Sequence, residues 1–459
     1  MEHLMAVILA AGEGKRMKSK NSKVTHIIGG KSLVQWVYKA VKSSGIDECI
    51  LVVGHRADQV KQVMGEEVLY ATQEKQLGTG HAVMQAAEYL EGKEGLVFVL
   101  AGDAPLISSE TITNTIACHK QKGNSATVIT ADLSDPTGYG RIIRDKEGNV
   151  LRIVEHRDAT EEERQTKEVN SGMYCFSINE LLDALKKLKN DNDQGEYYLT
   201  DTLEILINSG KKVGAVKAGD PNEILGINDR VQLAEAAEIV RKQINRKHML
   251  SGVTMIDPSS CYIDDGVEIG SDTVIYPGTI IQGSTVIGND CIIGPNSRIV
   301  SSRIGNGVEV NNSNVLESSI GDETHVGPFA YLRPGSSIGK NVKIGDFVEV
   351  KKSVIGDKTK VSHLTYIGDA EIGRNVNLGC GVVVVNYDGK KKNKTTVGDN
   401  CFIGCNVNLV SPVEVKENAY IAAGSTITEE VPENSLAIAR ARQVMKEDWV
   451  VKKGMQRKG

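Results

Sequence analysis

The sequence predicts two architectures in one chain: a parallel α/β sheet flanked by helices, followed by a β-solenoid. Two observations separate them. Residues 5–220 alternate short apolar runs with amphipathic helical patterns, whereas after about Met249 single aliphatic residues recur at every sixth position. At 459 residues the chain is long enough for two or three domains, each with its own core.

In the first part, "MAVILA", "ECILVVG", "GLVFVLAGD" and "SATVITA" read as strands buried on both faces. "SLVQWVYKAVKSS" and "GHAVMQAAEYLEG" read as helices between them. This order predicts a parallel sheet, and such sheets bind ligands beyond the carboxyl ends of their strands. From Asp229 to about Met249, Leu233, Ala237, Val240 and Ile244 fall four, three and four apart, as one long amphipathic helix requires. That helix is the expected connector.

The period then becomes six. Ile263, Ile269, Ile275, Ile281, Ile287, Ile293 and Ile299 are followed, after a slip, by Ile304, Val310 and Leu316. The pattern continues through Val326, Leu332, Ile338, Ile344 and Val350, and later through Val397, Ile403, Leu409, Val415, Ile421 and Ile427. Neither a helix nor an alternating strand keeps this spacing, but stacked coils of short strands and corners do. The pattern loosens around "KVSHLTYIGDAEIG", and "NYDGKKKNK" interrupts it after Val384 as an expected extruded loop. The basic tail from Lys446 is a candidate disordered segment.

Composition excludes some classes. Net charge is −5 with both signs plentiful, so no global positive field draws in nucleic acid. Aromatics are 4%, so the cores are aliphatic. Cysteines 49, 118, 175, 261, 291, 380, 401 and 405 form no CxxC pair and read as reduced, buried, cytosolic thiols. The run Leu4–Ala11 is too short for a membrane span and lacks a basic leader. A soluble intracellular protein is expected.

The stretch "VILAAGEGKRMKSKNSK", Val7 to Lys23, is glycine-rich, basic and follows a strand. It closes neither GxxxxGK[ST] nor GxGxxG. By itself it fits a phosphate site or an ordinary strand-to-helix turn. Asp103, at the end of "GLVFVLAGD", fits a turn residue, and Asn228 fits a helix N-cap.

Motifs in both halves, in order, narrow these readings. "LAAGEGKRM", "QLGTGHA", "AGDAPL", "DPTGYGRI", "VEHRDA", "GEYYLTD" and "GINDR" precede hexads of the form Ile-Gly-x-x-x-x. The whole chain resembles the bifunctional bacterial family of N-acetylglucosamine-1-phosphate uridylyltransferases / glucosamine-1-phosphate N-acetyltransferases. The resemblance implies a Rossmann-like α/β nucleotidyltransferase domain (1–230), a linker helix (231–251) and a left-handed parallel β-helix acetyltransferase domain (252–459). The handedness comes from the family, since left-handed crossovers depart from the usual rule.

It further implies that Leu9, Ala10, Ala11, Gly12, Arg16 and Lys23 hold UTP, with backbone N–H groups and cations facing the phosphates. Asp103 and Asn228 would hold Mg²⁺, which suits hard oxygen donors. Gln73, Gly78 and Thr79 match contacts to uracil; Gly140, Glu155 and Asn170 match contacts to the sugar. Lys15, where the family usually has Thr, is a departure that leaves the loop contacts open. In the β-helix, His363 matches the catalytic base. Arg333, Lys351, Tyr366 and Asn377 match positions that bind glucosamine-1-phosphate. Asn386, Tyr387, Ala423 and Arg440 match contacts to acetyl-CoA, as do Cys380 and Cys405, where other members carry Ala and Ser. Packing is the bland alternative for both cysteines. The Lys run 390–394 is unassigned. The family also implies a cytoplasmic homotrimer that supplies cell-wall precursors. A single-activity nucleotidylyltransferase with an oligomerising β-helix is the alternative, and His363 with Arg333, Lys351 and the Asn386 loop argues against it.

Overall fold

Apolar runs with both faces buried form the middle of a nine-stranded sheet. In this computed structural model, which describes residues 3–192 and 194–456, its main path crosses seven strands. They lie in the order Val213–Lys217, Ala126–Asp132, Glu168–Ser177, Gly95–Ala101, His3–Ala10, Glu48–Val53 and Leu69–Thr72. Met5 and Val7 join one apolar cluster while Ala6, Ile8 and Ala10 join another, as the strand period of two demands. Ser32 caps the helix Leu33–Ser43 in a capping box with Gln35.

The sheet is mixed rather than parallel throughout. Glu168–Ser177 runs antiparallel to both Gly95–Ala101 and Ala126–Asp132. The chain reaches it through the hairpin Arg141–Arg144 with Val150–Val154, and an antiparallel return needs no helical crossover. The helix expected over 80–92 is likewise divided, into Thr79–Gln85 and Ala87–Leu90.

The long helix spans Arg230–Leu250. Asp229 Oδ1 accepts from the N–H groups of Val231 and Gln232, each at 2.9 Å, so Asp229 caps it and Asn228 does not. The chain divides within this helix into two compact units, Met1–Arg241 and Lys242–Gly459.

The second unit is a solenoid of short strands in three parallel sheets of 11, 10 and 9 strands. Stacked pairs such as Ile275–Ile293, Val310–Val326 and Ile344–Val361 place aliphatic side chains above one another in the interior. Corners use left-handed residues, many of them Asn, which tolerates that conformation. Asn400 and Asn418, for example, are linked by an amide hydrogen bond of 3.2 Å. One expected anchor is displaced: Val315 is fully buried, while Leu316 lies partly outside. The side from Val310 is one residue short of a hexad, so the neighbouring residue turns inward. Ile269 is also only partly buried.

The loop after Val385 leaves the stack and is pinned by a bridge between Tyr387 and Lys392. The tail forms a short exposed helix, Trp449–Lys452, where the sequence suggested disorder. All eight cysteines are free, but not all are buried: Cys118 and Cys380 are half-buried and Cys405 is exposed. Among the described residues no helix is long and apolar enough to cross a membrane.

Candidate functional site

The first unit gathers its polar groups at the carboxyl ends of its central strands. Leu9 lies near the end of the strand His3–Ala10, and its carbonyl accepts from Gly102 N–H at 2.9 Å. This places Ala10, Ala11 and Gly12 beside the Gly102–Asp103 turn. Gly14 adopts φ +62°, and a Cβ there would lie 2.7 Å from the Cβ of Lys23. Only glycine accommodates both demands. Lys15 pairs with Glu13 at 2.7 Å on the solvent side of the loop, and Arg16 is exposed.

Lys23 reaches inward. Its ammonium donates to Asp103 Oδ2 and, at 3.2 Å, to Asn228 Oδ1. Asp103 is tied to the same loop because its carbonyl accepts from Ile227 N–H at 2.9 Å. Two hard oxygens from distant segments thus converge on one cation. That donor set fits Mg²⁺, which takes one or two protein oxygens and fills its shell with phosphate and water. Among the described residues no cluster of three or more His, Cys, Asp or Glu offers an all-protein metal cage.

The expected sugar contacts lie beside these groups. Asn170 N–H donates to Gly140 O at 2.9 Å, and its amide donates to the Tyr174 hydroxyl at 2.9 Å. Glu155 Oε1 is 3.3 Å from where a Cβ on Gly140 would sit. Although Glu155 keeps exposed surface, the surrounding protein desolvates its carboxyl and pushes it above the usual range, aided by Asp158 and Asp201. Tyr139 is raised mainly by burial and also by the charge of Asp103, which joins this cluster to Lys23.

Gln73 is buried; its amide donates to Gly78 O at 3.1 Å and meets His81 Nδ1 at 3.1 Å. Gly78 has φ +100°, and a Cβ would come within 2.5 Å of Tyr197 O. The Thr79 hydroxyl accepts from Leu199 N–H at 3.1 Å, so it braces the loop.

In the second unit the sequence-predicted residues fall into two adjacent columns. Successive strands of one sheet pair Asp346 with His363, Val361 with Leu378, Leu378 with Ile403 and Ile403 with Ile421. His363, Cys380, Cys405 and Ala423 each lie two residues beyond such an anchor, so they share one position on consecutive coils. Arg440 stands beside Gly424, its Cδ 3.7 Å from where a Cβ would be. Asn377 pairs in register with Lys360 and Phe402. His363 Nδ1 meets Asp346 Oδ1 at 2.6 Å.

The neighbouring sheet stacks Leu332 on Val350 and Val350 on Ile367, which brings Arg333, Lys351 and Tyr366 to one face. Arg333 Nη1 donates to Glu349 Oε1 at 2.8 Å. Lys351, almost buried, faces Asp369 Oδ2 at 3.7 Å, and the Asn386 amide donates to that same oxygen at 2.5 Å. Asn386 also lies 3.5 Å from the Tyr366 hydroxyl, whereas Tyr387 is exposed. Lys392, exposed on the extruded loop, reaches Lys351, and the ammonium beside it pushes it below the usual lysine range. Asp388 holds the loop by accepting from Lys390 and Lys391 N–H, both at 2.8 Å. These bonds, from Lys391 above all, bring its carboxyl down to about 2.

Sequence reasoning missed Asp346, Glu349, Asp369 and Lys392. The Lys run was the one visible signal, and it did not show which lysine lies beside Lys351.

Comparison with known proteins agrees with this division. Residues 5–221 match the nucleotidyl transferase family. Residues 266–301, 317–352 and 394–429 match the bacterial transferase hexapeptide family of six repeats, so the second unit is a left-handed parallel β-helix. A protein of Acetivibrio thermocellus named bifunctional protein GlmU is 71% identical over 457 residues, covering 100% of this chain and 99% of its own. Bearers of the same name from Caldanaerobacter subterraneus subsp. tengcongensis and Clostridium kluyveri are 60% and 58% identical, each over at least 98% of both chains. The chain belongs to the bifunctional GlmU family.

Proposed function

We propose that the two polar sites carry out consecutive steps in the synthesis of UDP-N-acetylglucosamine, a cell-wall precursor. The β-helix acetylates glucosamine-1-phosphate from acetyl-CoA, and the α/β unit then transfers uridylyl from UTP. What carries the reading is that one chain holds two separately built sites of different chemistry. One is a cation-binding pair of oxygens beside a phosphate loop; the other is a His–Asp pair beside clustered cations.

In the acetyl step, Arg333, Lys351 and Lys392 bind the sugar phosphate, while Tyr366 and Asn377 orient the ring. The amine nitrogen attacks the thioester carbonyl, the C–S bond breaks, and His363 takes the proton that nitrogen sheds. Acetyl-CoA lies along the Cys380, Cys405 and Ala423 column, with Asn386, Tyr387 and Arg440 at its edges. CoA leaves as the thiolate, which regains a proton from the imidazolium of His363 or from water and so restores the neutral base.

In the uridylyl step, the sugar-phosphate oxygen attacks the α-phosphorus of UTP and pyrophosphate leaves. The nucleophile is already anionic, so the site supplies alignment and charge neutralisation. Backbone groups of Leu9–Gly12 with Arg16 and Lys23 hold the phosphates. Gln73, Gly78 and Thr79 hold the base, and Gly140, Glu155 and Asn170 the sugar. Asp103 and Asn228 would hold Mg²⁺, which when bound supplies further neutralisation of the triphosphate.

The catalytic division follows residues 1–230 and 252–459, with 231–251 as linker. The acting form is a cytoplasmic homotrimer. Phe329, Phe347 and Leu364 support the assembly: in register on three coils, each is 57% exposed, and the two rings stack at 5.4 Å. Apolar side chains in such a row are the expected footprint of a neighbouring copy. Free thiols and the substrates UTP and acetyl-CoA support the compartment.

Incubation with glucosamine-1-phosphate, acetyl-CoA, UTP and Mg²⁺, omitting each in turn, tests the reading. N-acetylglucosamine-1-phosphate should form without UTP, and the nucleotide sugar only with all four. Nucleotide sugar formed from the unacetylated substrate at equal rate would overturn the order.

A further inference from the structure

We infer that Asp346 is a positioning residue for acetyl transfer: it fixes the ring of His363 in the tautomer whose Nε2 lone pair faces the substrate amine. The inference rests on the reading of His363 as the base.

Asp346 and His363 end strands on consecutive coils and are paired in register. Such strands lie about 4.8 Å apart, within reach of both short side chains. The backbone locks that register, since Leu364 N–H donates to Asp346 O at 3.0 Å. On the next coil, Gly381 N–H reaches the His363 carbonyl at 3.4 Å. The backbone around His363 is therefore held from both sides along the stack, and the Asp346 carboxylate meets Nδ1 of the ring at 2.6 Å.

An ionised carboxylate only accepts, so Nδ1 must carry the hydrogen. Asp346 is ionised near neutrality because its bond to His363 holds its carboxyl below the usual range, with Lys343 nearby contributing. In the neutral ring Nε2 is then the unprotonated nitrogen. Among the described residues no protein group hydrogen-bonds Nε2. As nitrogen sheds its proton to Nε2, the ring becomes an imidazolium whose charge lies against the carboxylate. The pair is partly exposed, 53% and 37% by side chain, so water screens that attraction and orientation is the larger contribution.

Asp346→Ala removes the acceptor, and Asp346→Asn offers an amide that can also donate to Nδ1 and select the wrong tautomer. Full-length variants should lose about 10- to 100-fold in kcat for acetylation, the range for partners that orient a working imidazole. KM for both substrates and the uridylyl rate should stay near wild type. Nitrogen-15 spectra of the histidine ring should show Nδ1 protonated in the wild type and mixed tautomers in the variants. Asp346→Glu should recover part of the rate. Wild-type kcat in both folded variants, with His363→Ala inactive, would overturn the role of Asp346 alone. An active His363→Ala would overturn the base assignment beneath it.

Discussion

The ammonium of Lys23 is bound by Asp103, and the two side chains are only 15% and 19% exposed. The amide oxygen of Asn228 shares the same ammonium at 3.2 Å. A lysine so placed keeps a carboxylate and an amide oxygen aimed at one point.

Asp103→Asn preserves shape but removes the charge. Uridylyl transfer should fall by roughly 10²–10³-fold, the usual loss when a charge-stabilising group is deleted. Acetylation should continue near the wild-type rate, because its site lies in the other unit. Coupled assays for pyrophosphate and free CoA measure both; equal loss of the two activities in folded protein would refute the assignment.

His363→Ala should give the mirror image. Acetylation should drop by about 10²–10⁴-fold, the range for a positioned acid–base group. Turnover of pre-acetylated sugar phosphate with UTP should be unchanged.

The raised carboxyl of Glu155 makes stability depend on pH. Desolvation first, then Asp158 and Asp201, raise its carboxyl in the folded protein. A carboxyl raised on folding binds more protons in the native state, so its contribution is present at low pH and lost as pH climbs through the raised value. Glu155→Gln should therefore unfold at a slightly higher temperature than wild type at pH 7. The advantage should vanish below about pH 4, where unfolded glutamates are themselves protonated. Calorimetry across pH reads this, and the variant should also bind N-acetylglucosamine-1-phosphate more weakly.

The Lys351 ammonium lies close enough to Lys392 to push it below the usual lysine range, while Asp369 offsets part of that push. Lys392→Ala should raise the KM for glucosamine-1-phosphate roughly tenfold, through loss of one charge-assisted contact. Its kcat should move little. An unchanged KM would return Lys392 to the solvated loop.

Phe347→Asp places a charge in the middle of the exposed apolar row. Sedimentation should show a trimer for the wild type and smaller species for the variant, with acetylation falling alongside. An active wild-type monomer at assay concentration would reject the assembly.

Much of this molecule is legible from local pattern. Ile275, Ile293 and their successors announce a solenoid because each coil repeats the same burial problem within a few residues. The glycine-rich loop is legible because Gly14 and Lys23 lie close in the chain. Resemblance then singled out Asp103, Asn228 and His363 from among many ordinary polar residues.

Contacts across the fold decided the rest. Lys23 meets partners 80 and 205 residues away, and no local spacing encodes that convergence. Whether Val315 or Leu316 turns inward depended on the coil beneath, since either side chain is apolar enough. Glu168–Ser177 lies antiparallel between its neighbours, a direction that followed from the hairpin that precedes it. Asp346 looks like any corner residue in sequence. It becomes the partner of His363 because stacking the coils in register brings two strand ends face to face, and only the folded chain sets that register.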